Sequence, residues 1–211
     1  MIEPTRVFAL RHGQTAWNAE RRLQGHLDIA LDATGRWQAA QLARALAGEG
    51  LAALYSSDLQ RARDTAQALA AATGLPVGVD AALRERRFGF LEGHSHDEIE
   101  ARFPVDALHW RQRSLDVAPG GGETLTAFDA RCVQAVSRLA ARHPGQAIAV
   151  VAHGGVLDCL YRRATGIALD VPRTWQLGNA TVNRLLYTGE GFALVGWDDH
   201  RHLQPPEPAA G

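Results

Sequence analysis

Val7-Phe8-Ala9-Leu10-Arg11-His12-Gly13 and Ala147-Ile148-Ala149-Val150-Val151-Ala152-His153-Gly154-Gly155 decide how this chain folds. Each is a short apolar run that stops abruptly at histidine and glycine. Runs of this length without polar alternation suit strands buried on both faces. Such strands need helices above and below them. Working outward, Thr34 reads as the N-cap of a helix with Ala39, Leu42, Ala43 and Leu46 on one face, stopped by Gly48 and Gly50. Residues 51–55 read as a second strand. Ser57 or Asp58 is the expected cap of a helix that aligns Leu59, Ala62, Ala66 and Leu69. Thr124 opens a long helix with Leu125, Phe128, Cys132, Ala135 and Leu139 on one face, expected to end near Gly145. Residues 156–161 resume helically, and 181–187 and 192–197 read as closing strands.

Strands alternating with helices predict an α/β fold: a three-layer α/β/α sandwich around a mostly parallel sheet. No Ser/Gly-rich linker or charge block divides the 211 residues, so residues 1–211 are expected to form a single domain. The irregular stretch 85–122, with a helical turn expected at 98–103, is too long to be an idle connection. Residues from about 86 to 122 are read as an inserted lid. A Pro- and Ala-rich tail from about residue 204 is expected to fray.

Composition narrows the function. The chain is 46% hydrophobic and 21% charged with a formal net charge of -1, which argues against a dedicated nucleic-acid surface. No apolar run approaches the roughly 18 residues of a membrane span, and residues 1–10 lack the pattern of a signal peptide. A cytoplasmic location is expected. Cys132 and Cys159 form no close motif and read as reduced core thiols, in keeping with that compartment. All 22 basic residues are arginine; there is no lysine. That excludes a Walker-type phosphate loop and lysine Schiff-base chemistry. Phosphate recognition here must use guanidinium, imidazole or backbone N–H groups.

Three predicted strands end in polar residues: Arg11 and His12 after the first, residues 56–61 with Arg61 after the second, His153 after the third. Ligands of open parallel sheets gather at the carboxyl ends of strands. Two histidines and two arginines therefore converge in the expected fold, and such a cationic pocket suits a phosphate dianion. Asp and Glu are scarce near these ends, so no metal site and no cofactor are expected. His94 with His96, and His200 with His202, lack partner carboxylates or cysteines at ligand spacing and read as solvated.

Arg11-His12-Gly13-Gln14-Thr15-Ala16-Trp17-Asn18 closely resembles the signature of the histidine phosphatase superfamily, the phosphoglycerate mutase-like proteins. Gln24-Gly25 with Asp28 and Leu31 resembles the segment that follows it, although Ala30 stands where proline is usual. Ser56-Ser57-Asp58-Leu59-Gln60-Arg61-Ala62 with Thr65-Ala66 resembles the second arginine motif. Leu83-Arg84-Glu85, Phe88-Gly89 and Leu91-Glu92-Gly93 resemble the acid/base segment. Gly121-Gly122-Glu123 and Val151-Ala152-His153-Gly154-Gly155 complete an ordered likeness over most of the chain.

The resemblance implies a metal-independent phosphomonoester hydrolase acting through phosphohistidine on a small phosphorylated metabolite. His12 would attack as a neutral imidazole whose other nitrogen is held by a backbone carbonyl. Arg11, Arg61 and His153 would hold the phosphoryl oxygens, with neutral donors from Asn18 and the Gly154 N–H. Gly13 is read as small so that nothing crowds the phosphate. Glu85 would carry the proton to and from the leaving group and water. Gln24, Trp110 and His94 are candidates for the substrate wall. The lid resembles broad-specificity and alpha-ribazole phosphatases. A cofactor-dependent phosphomutase is the rival activity, kept open by Arg86, Arg87, Arg111 and Arg113; a non-catalytic phospho-ligand module is the rival outside catalysis. A small phosphorylated substrate is the expected partner, without nucleic acid or membrane, and the chain is expected to be a monomer or homodimer.

Overall fold

The computed structural model describes residues 3–204. At its centre lies the first apolar run, strand β1 (Thr5–Arg11), parallel to β4 (Ala147–Ala152) on one side and antiparallel to β5 (Val182–Thr188) on the other. Both central strands are buried on both faces, so their side chains divide by parity. Val7, Ala9, Ile148, Val150 and Ala152 point to helices α6 (Leu125–Ala140) and α7 (Gly154–Thr165). Phe8, Leu10, Ala147, Ala149 and Val151 point to α2 (Ala33–Leu46) and α3 (Gln60–Thr73). The three-layer α/β/α expectation holds.

The six strands run in the order β3-β2-β4-β1-β5-β6, completed by β2 (Leu51–Ser56), β3 (Val77–Val79) and β6 (Gly191–Asp199). The first four are mutually parallel, and the antiparallel β5–β6 pair closes one edge. Because β4 slots between β1 and β2, the three polar strand ends come together.

Several local expectations need correction. Helix α2 is capped by Asp32, whose carboxylate accepts the Gly35 N–H at 2.7 Å, and not by Thr34. Helix α3 has Leu59 as N-cap residue without a side-chain cap. Its Gln60 N–H instead donates to the Asp28 carboxylate at 2.6 Å, while Asp58 is drawn into a pair with Arg84. Helix α6 ends at Ala140, short of Gly145; Pro144 disfavours helical geometry at the residue before it. Helix α1 (Ala16–Ala19), α5 (Pro104–Arg111) and β3 were not read from the sequence. The turn expected at 98–103 is α4 (His96–Arg102), with Ser95 and Glu98 forming a capping box. Helices α4 and α5 pack Ile99 and Ala107 against Leu91, with Phe88, Phe103 and Trp110 alongside. The expected tail beyond residue 204 lies outside the described residues.

Candidate active site

Backbone pairing sets the site. Arg11 stands opposite Ala152 in the β1–β4 ladder, and the His12 N–H donates to the Ala152 carbonyl at 3.0 Å. His12 and His153 therefore leave adjacent strands side by side, with ring centroids 5.2 Å apart. On the other flank of β4, the Ser57 N–H donates to the Val151 carbonyl at 3.0 Å, and the chain turns into α3 with Arg61 as its second residue. The expected quartet does converge.

His12 is buried, with Nδ1 2.7 Å from the Gly13 carbonyl. A carbonyl only accepts, so Nδ1 carries the proton and Nε2 keeps its lone pair. Burial, then the charges of Arg61 and Arg11, hold the His12 pKa well below the usual imidazole range. The ring is therefore neutral at physiological pH. His153 is likewise pushed down, first by burial and then by Arg61, His12 and Arg11. Both its ring nitrogens are buried without a hydrogen-bond partner. A phosphate dianion would supply the charge and acceptors that this ring lacks.

Arg61 is fully buried, its two terminal nitrogens donating to the Leu27 and Gly25 carbonyls, each at 2.8 Å. Burial pushes its pKa down to about 10, which still leaves it charged at neutral pH. Arg11 donates to the Leu177 carbonyl, and burial lowers its pKa as well. The Nε atoms of both arginines are buried and unpaired. Buried donors without partners are rare in folded proteins. Here both side chains line one cleft with His12, an arrangement suited to anionic oxygens.

Glu85 is held by two backbone donors: the Gly155 N–H reaches Oε2 at 3.0 Å and the Arg86 N–H reaches Oε1 at 2.8 Å. It makes no salt bridge with its neighbours, because Arg84 pairs with Asp58 and Arg86 bonds to the Glu123 carbonyl. Together with Arg11, His12 and Arg61, it lines a cleft of about 300 Å³. Asn18, Gln24 and Trp110 also line it. The Asn18 Oδ1 accepts the Thr15 N–H at 3.0 Å and the Asn179 amide at 3.3 Å, which leaves its Nδ2 as the donor for the cleft. Gln24 is buried with Oε1 unpartnered. Trp110 both packs in the cluster around Leu91 and lines the cleft, meeting the His96 ring edge-on at 4.7 Å.

Other expectations shift by a residue or change reason. Gly155 lines the cleft with its N–H bonded to Glu85, while Gly154, the first residue of α7, lies beside the Arg11 guanidinium, 3.5 Å from Nε to where a Cβ would stand. Gly13 packs against α2: its N–H donates to Thr65, and a Cβ there would sit 2.4 Å from the Gly35 carbonyl oxygen. Its smallness serves the packing of β1 on α2. His94 bonds to Arg102, and His96 lines the cleft instead of being a solvated loop residue. Of the arginines that kept a mutase open, Arg86 and Arg113 face the cleft, whereas Arg111 pairs with Glu100 and Arg87 is exposed. Among the described residues no three His, Cys, Asp or Glu side chains are grouped to hold a metal ion, and no helix is long and apolar enough to cross a membrane.

Two contributors escaped the sequence. Asn179 donates to the His12 carbonyl at 3.0 Å and steadies Asn18, and Arg173 reaches the cleft mouth. Both lie between α7 and β5, a stretch without periodicity.

Comparison with known proteins agrees with this geometry. The profile of the histidine phosphatase superfamily (branch 1) matches residues 7–200. Phosphoglycerate mutase-like protein 4 of Arabidopsis thaliana is 40% identical over 96% of this chain and 89% of its own length. A metal-independent phosphoserine phosphatase of the same plant is 35% identical over 95% of this chain and 84% of its own. Among solved structures, a mycobacterial glucosyl-3-phosphoglycerate phosphatase complexed with VO3 superposes with a TM-score of 0.83 at 36% identity, covering 92% of this chain and 99% of that one.

Proposed function

The chain belongs to the histidine phosphatase superfamily and is a phosphatase working through a phosphohistidine, and on that footing we propose how its own residues divide the work. The Nε2 of His12 attacks phosphorus and forms the N–P bond as the ester P–O bond breaks. Glu85 gives the leaving alkoxide its proton. A water then attacks the phosphohistidine, Glu85 takes the proton from that water, and inorganic phosphate leaves with His12 restored. Phosphoryl transfer proceeds through a loose transition state with charge spread over three oxygens, so positioning and electrostatics dominate catalysis. Arg11, Arg61 and His153 provide that field, and Asn18 and Gln24 add neutral contacts. Residues 86–122 act as the lid, and the substrate is a small phosphorylated metabolite of the cytoplasm.

The observation that carries this reading is the tautomer of His12: Nδ1 bonded to the Gly13 carbonyl and Nε2 available, 5.2 Å ring to ring from His153. A phosphomonoester panel run in EDTA, with 3-phosphoglycerate and a bisphosphoglycerate included, tests it. Phosphate release in EDTA that is lost in His12→Ala is the expected result. Isomer exchange without release would replace hydrolysis by mutase activity. Binding with neither activity would leave only a phospho-ligand module.

A further inference from the structure

Glu85 leaves the chain from a turn whose carbonyls are gripped by one side chain outside the cleft. Arg131, on α6, donates from Nη1 to the carbonyls of Ala82 and Arg84 at 2.9 and 3.0 Å, and from Nη2 to the Glu85 carbonyl at 3.3 Å. Its Nε and Nη2 also reach the two carboxylate oxygens of Glu123, at 2.9 and 2.7 Å. A guanidinium has five N–H donors, and these contacts use all of them. Glu123 is bonded in turn to the residues that follow Glu85. Its Oε2 accepts the Arg87 N–H at 2.9 Å, and its carbonyl accepts from Nε of Arg86 at 3.0 Å.

The Glu85 carbonyl has a second donor, Nε2 of His26 at 2.8 Å. A carbonyl only accepts, so this nitrogen carries a proton. His26 is itself fixed through its N–H, which donates to the Glu92 carboxylate at 3.2 Å; the same oxygen accepts the Phe88 N–H at 2.8 Å. The Glu85 carbonyl belongs to the same peptide unit as the Arg86 N–H, and that N–H donates to Oε1 of Glu85 at 2.8 Å. A peptide unit is planar and turns as one body. Holding its carbonyl therefore sets the direction of its N–H, and with it the aim of the carboxylate. Arg131, Glu123 and His26 do not line the cleft, so their route to the reaction runs through Glu85.

We propose that Arg131, tied to Glu123, and His26 are positioning residues for the proton-transfer step: they clamp the Glu85–Arg86 peptide plane, whose N–H aims the Glu85 carboxylate at the leaving oxygen. The inference rests on the phosphatase reading, in which Glu85 protonates the leaving group, and deepens it. A lysine at position 131 keeps the charge beside Glu123 but lacks the planar fork that reaches three carbonyls at once.

The test compares benzyl phosphate with p-nitrophenyl phosphate. Each carries a single ring, but the benzyl alkoxide needs a proton in order to leave and the nitrophenoxide does not. The readout is the ratio of kcat/KM for p-nitrophenyl phosphate to that for benzyl phosphate, because kcat/KM measures the transition state against free enzyme and substrate. Glu85→Gln sets the scale by raising this ratio. A small misplacement of a catalytic group costs up to about 10²-fold, so Arg131→Lys and His26→Ala should each raise the ratio about tenfold to a hundredfold. His26→Gln, which returns an N–H to the same carbonyl, should restore it. Adding Arg131→Lys to Glu85→Gln should raise the ratio no further, and inhibition by inorganic phosphate should be unchanged in each single variant. If Arg131→Lys fails to fold, the two His26 variants decide. A ratio that rises in Glu85→Gln but stays at the wild-type value in Arg131→Lys and His26→Ala overturns the clamp and leaves the acid in place. Equal losses on both substrates with weakened phosphate inhibition overturn it too, as a general lesion of the fold. A ratio unmoved by Glu85→Gln removes Glu85 as the acid and the clamp with it.

Discussion

The N–H of Gly155 donates to Oε2 of Glu85 at 3.0 Å, and a Cβ on that glycine would lie 2.2 Å from Oε1 of the same carboxylate. Backbone and side chain come from stretches 70 positions apart in the sequence. The glycine therefore both supplies the hydrogen bond that aims Glu85 and leaves the room in which it sits. Gly155→Ala should move the carboxylate without removing it. We expect kcat to fall by about 10²-fold, within the range of lost general acid–base catalysis, while inorganic phosphate still binds. Glu85→Gln should cost roughly 10²–10⁴ in turnover, and the double variant should be little worse than Glu85→Gln. Additive losses in this cycle, read by steady-state kinetics, would show that the two do not act together.

Gly13 makes the contrasting case. Its N–H is bound to Thr65 at 3.0 Å, and its α-carbon packs on the Gly35 carbonyl near the start of α2. Backbone cannot yield as a flexible side chain can. Gly13→Ala should therefore act as an overpacking lesion of about 1–3 kcal/mol, seen as a lower urea midpoint. A variant with unchanged midpoint and weakened phosphate binding would restore the reading that Gly13 makes room for substrate.

These two glycines also show where sequence reading stops. Apolar runs without alternation identify β1 and β4, and the helical spacing of Ala39, Leu42, Ala43 and Leu46 identifies α2, because burial is what those patterns record. The quartet of Arg11, His12, Arg61 and His153 is legible for the same reason: strand ends converge. Nearby capping residues are harder to tell apart. Asp32 caps α2 where Thr34 was expected, and only the partner across space, the Gly35 N–H, selects it. Pro104 stands at the start of α5, where its missing N–H costs nothing. Strand β3 is three residues long with Gly78 at its centre, too short to carry a period. Arg173 and Asn179 lie in a loop, where no periodicity exists to be read.

Protons give a prediction with a definite sign. His12 and His153 both have folded pKa values well below 6.5, chiefly through burial. In the unfolded chain they titrate near 6.5. Above that pH neither state protonates them and their contribution to stability is intact. As pH falls below about 6.5 the unfolded chain takes up protons that the folded chain refuses, so stability declines toward the folded values. His96 and His202, also lowered by burial, act in the same direction. Carboxylates such as Asp58 and Glu123, which are lowered mainly by arginine partners against the opposing effect of burial, lose their contribution only in more acidic solution. Thermal melts between pH 8 and 5 should fall, and the double variant His12→Asn with His153→Asn should flatten the slope. An unchanged slope would mean that other groups set it.

Arg61 ties folding to chemistry more tightly than any other residue of the site. Its fork spans the Gly25 and Leu27 carbonyls and so fixes the loop that carries Gln24, while its unpaired Nε stays in the buried pocket beside His12. A lysine keeps the charge but cannot span two carbonyls and still present a third donor. Arg61→Lys should therefore lower kcat/KM by about 10²–10³ and destabilise the fold by about 1–3 kcal/mol, since at least one buried carbonyl loses its partner. Arg61→Met removes the charge as well; the same carbonyls go unpaired, but the cost of burying a cation disappears. Its stability loss should consequently be no larger than that of Arg61→Lys, although its activity is lower still. Urea midpoints and kcat/KM measured on both variants test this ordering, and a methionine variant much less stable than the lysine variant would show that the buried charge itself holds the loop.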